Sequence, residues 1–75
     1  MGVLEDLADK LAKETLELSA ETGDNDIFEQ VSKVVGATST TLQETYLTSI
    51  RIRTAAQRGH KALDEIAAKK AAAAD

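Results

Sequence analysis

The sequence predicts an all-α fold, a small helical bundle in which two shorter helices pack on one long C-terminal helix and which is completed by oligomerisation. Three observations lead there. The 75 residues contain no Pro and only four Gly, so little interrupts a helix. Apolar residues recur at spacings of three and four, the period of one helix face. Gly23 and Gly36 sit beside polar stretches and divide the chain into three such runs.

Residues 3–18 form the first expected helix. Leu4, Leu7, Leu11 and Leu18 mark its inner face, which Ala8, Ala12 and Thr15 widen. The other side carries Asp6–Lys10, Asp9–Lys13, Lys10–Glu14 and Lys13–Glu17, oppositely charged pairs four residues apart that each help a helix slightly. Glu14 stands where a long coiled coil would want Leu. The polar run from Ser19 to Asn25 is a connector, with Asp24 or Asn25 as a candidate N-cap and Asp26 with Glu29 as a second capping register.

The second helix is expected over residues 26–35, with Ile27, Val31, Val34 and Val35 inward and Phe28 at one edge. Gly36 is placed to end it in the left-handed conformation. After a turn rich in Thr and Ser, Thr40 and Gln43 fit a capping box, and the third helix follows over residues 40–70. At about 1.5 Å per residue it would reach roughly 46 Å, more than the width of a compact domain of this size. Residues 71–75 are Ala-rich and expected to fray, because Ala favours helix but buries little. The predicted core is Leu4, Leu7, Leu11, Leu18, Ile27, Val31, Val34, Leu42, Tyr46 and Ile50.

The third helix reads as two halves. Leu42, Tyr46, Leu47, Ile50 and Ile52 crowd the first, and no large apolar residue follows until Leu63. Yet Ile52, Ala56, Gly59, Leu63 and Ile66 keep the spacing of four and three, a seam with small residues at Ala56 and Gly59 along which another helix can come close. Nineteen large apolar residues are a thin supply for a monomeric core, since short chains bury a smaller share of their surface. A dimer relieves the shortage. The leading functional expectation is therefore a non-enzymatic protein–protein interaction or assembly module that self-associates through this seam, as a homo-oligomer with a dimer favoured, or that binds another helical protein.

Charge supplies the alternative. The formal net charge is -4, but residues 1–44 carry ten acids against three bases and residues 45–75 six bases against three acids. Arg51, Arg53, Arg58 and Lys61 form a basic stripe on the third helix. A small nucleic-acid-associated regulator could use such a stripe on phosphates. The field is weak, no helix-turn-helix pattern is present, and two aromatics make no stacking platform, so an ion-pair surface for the acidic first helix is the stronger expectation.

No catalytic arrangement is legible. His60, the only histidine, has no Ser or Cys motif beside it, and no Cys exists to hold a metal or a disulfide. Asp24, Asp26 and Glu29 resemble a calcium loop only loosely: Gly23 precedes the acids instead of lying among them, and helix capping explains them. Thr41, Thr45 and Thr48 line up as hydroxyls without a base. Four Gly at positions 2, 23, 36 and 59 compose no phosphate-binding loop. No enzyme, cofactor or metal site is expected. No apolar run of about 18 residues could span a bilayer. The acidic N-terminus is unlike a secretory signal, and Asp6 occupies the Ser/Thr position of a myristoylation site. The expected setting is cytoplasmic.

Overall fold

A computed structural model describes residues 2–74; Met1 and Asp75 lie outside the described residues. Three helices account for the fold: α1 (Val3–Thr22), α2 (Ile27–Gly36) and α3 (Thr40–Ala74). The two shorter ones pack on the long one, and no strand occurs among the described residues. The molecule measures 57 × 30 × 13 Å with a radius of gyration of 16.1 Å. A compact chain of this length would have a radius of about 11 Å. The excess is α3.

Each boundary has a local cause. The first helix runs a turn beyond the expected stop, to Gly23, which takes φ 74° and donates its N–H to the Ser19 carbonyl at 2.8 Å. That left-handed conformation is open to Gly at no steric cost. The Asp24 side chain accepts the Asp26 N–H at 2.8 Å, and Asp26 itself sits at the N-cap of α2 without a side-chain cap. At α3 the cap is Ser39, whose Oγ accepts the Leu42 N–H at 3.1 Å. The expected Thr40–Gln43 box does not form. Gln43 instead turns its carboxamide onto α2, donating from Nε2 to the Ser32 carbonyl (2.9 Å) and to Ser32 Oγ (3.1 Å).

That contact corrects the reading of Gly36. Gly36 is helical and not left-handed; Gly23 is the one residue of positive φ among those described. A β-carbon on Gly36 would collide with the Gln43 carboxamide. Gly36 leaves room for the Gln43 carboxamide to lie on α2, and Ser32, itself buried, gains its partner there.

The core keeps most of its expected members but is centred on smaller residues. Ala8, Ala12 and Tyr46 are fully buried, Thr15 and Ser32 nearly so, and Leu11, Val31, Leu42, Leu47 and Ile50 pack around them partly buried. Leu7, Leu18 and Val34, all expected inside, are exposed. The face of α1 that meets α3 is the stripe Ala8, Ala12, Thr15 (spacing four, then three), and the leucines lie to its side. Small residues there let the backbones approach and leave room for the Tyr46 ring, which a row of leucines would exclude. From 71 on, where fraying was expected, α3 stays helical through Ala74, as its alanines favour.

Candidate functional site

Two polar contacts fix α1 on α3. Inside, Thr15 Oγ1 lies 2.8 Å from the Leu11 carbonyl and 2.7 Å from Tyr46 Oη. Thr15 has one hydroxyl proton, and the carbonyl can only accept it, so Tyr46 is the donor to Thr15. Burial pushes the Tyr46 phenol up. At the surface, Arg53 grips Asp9 with both arms of its fork, Nε to Oδ1 at 2.6 Å and Nη2 to Oδ2 at 2.7 Å. These hydrogen bonds hold the Asp9 carboxyl below its usual range, assisted by the charges of Arg53 and Lys13 and opposed by slight desolvation.

The sign of the resulting pH dependence follows. Asp9 binds its proton less readily folded than unfolded, so its contribution to stability is complete above the ordinary carboxylate value. It is lost as pH falls through the lowered folded value. Asp9→Asn should therefore flatten part of the acid limb of a plot of urea midpoint against pH, leaving the slope above pH 6 unchanged. Both side chains are well exposed, so salt should shrink the difference. An acid limb identical in the two proteins would show that the pair does not contribute.

Shallow grooves flank this ion pair. One, of about 260 Å³, is lined by Lys13, Leu16, Glu17, Ala20, Arg53 and Gln57. The other, of about 370 Å³, lies among Glu5, Asp6, Asp9, Ser49 and Ile52. Its rim is acidic and its floor apolar, with Ile52 exposing 64% of its surface.

Ile52 also begins the seam, and here the expected site residues come together. Ile52, Ala56, Gly59, Leu63 and Ile66 lie on one continuous stripe of α3, and all five are exposed. At about 100° per residue the stripe lies roughly a third of the way around α3 from Tyr46 and Arg53, so α1 borders it only beside Ile52 and leaves it uncovered. Nothing lies within 4 Å of a β-carbon built on Gly59. Beyond Thr54 every described residue of α3 is exposed.

The basic stripe fares differently. Arg53 is committed to Asp9, whereas Arg51, Arg58 and Lys61 are exposed. A mixed surface remains, because Asp64 and Glu65 follow on the same helix. His60 is exposed on the uncovered half. Among the described residues, no three acids or histidines gather to hold a cation, and Asp24 is occupied in its turn. The hydroxyls of Thr45 and Thr48 bond back to the carbonyls of Thr41 and Glu44, each at 3.0 Å, which is a helix-surface role. No helix among the described residues is long and apolar enough to cross a membrane.

Sequence reasoning missed the acidic groove beside Ile52 and the Thr15–Tyr46 contact; pairing of the basic stripe with the acidic first helix was expected and occurs at Arg53–Asp9, though the partners were not named in advance. One signal pointed to the inner contact: Thr15 continues the Ala8–Ala12 stripe, and a hydroxyl on an inward stripe needs a partner. No protein-family model matches the chain, and no curated protein or solved structure is similar enough to it to count as a match.

Proposed function

We propose that the chain is a non-enzymatic helical interaction module that assembles with itself, a dimer being the favoured state, through Ile52, Ala56, Gly59, Leu63 and Ile66. One observation carries the reading: twenty residues of α3, Ala55–Ala74, have no covering element, yet they continue an apolar stripe in helical register. Most helical stability in proteins comes from packing an apolar face rather than from propensity. Pairing supplies that packing. A cytoplasmic setting belongs to the proposal on the sequence reading alone.

Sedimentation equilibrium at micromolar concentration should give a mass above 8.0 kDa that falls on dilution. Gly59→Leu should weaken the association about five- to a hundredfold, because bulk inserted at a close contact costs on the order of 1–3 kcal/mol. A clean 8.0 kDa monomer at every concentration overturns the reading. An oligomer indifferent to Gly59→Leu would place the contact elsewhere on the molecule.

A further inference from the structure

We propose that the occupant of the uncovered half of α3 is the same half of a second copy, running antiparallel, with the two-fold axis passing beside Lys61. The inference rests on the self-association reading and adds its orientation and register. Its first support is the order of sizes along the stripe. From Ala56 the sequence of seam residues is small, small, large, large: Ala56, Gly59, Leu63, Ile66. Reversing one copy about position 61 sets Gly59 against Leu63 and Ala56 against Ile66, so every layer combines a small residue with a large one. Such alternation lets facing layers interdigitate at constant spacing. A parallel pair would stack Gly59 on Gly59 and Leu63 on Leu63, a void beside a bulge. Sliding the antiparallel pair by one layer either way sets Ala56 against Gly59, or Leu63 against Ile66, with the same fault.

Charge gives an independent support. Lys70 of the second copy comes level with Ile52 of the first. Glu5, Asp6 and Asp9 rim the groove that Ile52 lines, and Arg53 holds only Asp9. A Lys stem can cover the exposed Ile52 surface while its ammonium group turns toward Glu5 and Asp6. The lengths agree, since Ile52 and Lys70 each stand nine residues, about 14 Å, from the axis.

The chain contains no cysteine, so single introduced thiols report cleanly on orientation. Ala62 flanks the seam next to the axis, and Ala55 flanks it one heptad earlier. In the proposed dimer the two copies of position 62 are neighbours, while the two copies of position 55 stand about 18 Å apart along the axis. Under mild oxidation, full-length Ala62→Cys should form a disulfide-linked dimer and full-length Ala55→Cys should not. At low salt Lys70→Glu should weaken association about tenfold, and adding Asp6→Lys should restore it. Equal cross-linking of the two cysteine variants, or of neither, in a chain that still sediments as a dimer overturns the antiparallel register and leaves self-association standing. A wild-type chain that stays monomeric overturns both.

Discussion

Tyr46→Ala should unfold the protein or leave it barely folded. Removing a buried large aromatic side chain costs about 3–5 kcal/mol. A 75-residue chain has on the order of 4–11 kcal/mol in all, at the usual stability per residue. Among the described residues Tyr46 is the one large side chain buried completely, and it is the centre against which Ala8 and Ala12 pack. Urea unfolding followed by helix circular dichroism reads the loss directly. Milder variants separate ring from hydroxyl. Tyr46→Phe leaves Thr15 bonded to the Leu11 carbonyl, so it should cost only about 0.5–1.5 kcal/mol. Thr15→Val strands the Tyr46 hydroxyl in the core and should cost more, about 1–3 kcal/mol. The double variant Thr15→Val/Tyr46→Phe removes both partners and should be no worse than Thr15→Val alone. If Thr15→Val were the milder of the two single changes, the donor assignment at this contact would be wrong.

The same contact shows how far the sequence carries. Three helices, their order and the length mismatch were legible because spacing, glycines and capping residues act locally, within a few positions. The inward face of α1 was legible in outline, with Ala8, Ala12 and Thr15 on it, but which stripe lies at its centre was not. Periodicity finds where apolar bulk is concentrated, which on α1 is Leu4, Leu7, Leu11 and Leu18. Packing chose the adjacent stripe of Ala8, Ala12 and Thr15, since how closely two backbones approach depends on the partner's side chain, here a Tyr 31 positions away. Asp9 and Arg53 are 44 positions apart, and nothing near either one names the other. Gly36 was misread for a related reason: glycine at a helix end suggests a left-handed cap, and only the position of Gln43 reveals that the need is space.

The candidate seam lies at the opposite extreme. Its spacing is local to one helix, so the sequence displays it whole, and its exposure follows from arithmetic. A 20-residue α1 and a 10-residue α2 cannot cover a 35-residue α3. The small-residue contact that the sequence suggested for α3 is instead seen within the chain on α1, where Ala8 and Ala12 meet Tyr46. The corresponding stripe of α3 is left over.

Deletion of residues 59–75 should therefore separate folding from assembly. Every described residue removed is exposed, and none contributes to the core or to the contacts that dock α1 and α2. The shortened chain should keep the urea midpoint of dilute, monomeric full-length protein to within about 0.5 kcal/mol, as changes at exposed positions generally do. What it should lose is concentration dependence. In the full-length chain, the tail is helped by its nine alanines after Thr54 but has no face packed, and packing supplies most helical stability. Its helical circular dichroism and its amide protection should therefore rise with protein concentration. In the shortened chain neither should change. A deletion that cost several kcal/mol would mean that the tail folds back over the core in solution. A tail as well protected at nanomolar as at millimolar concentration would mean that α3 stands without a partner, and the link drawn here between its uncovered length and assembly would fail.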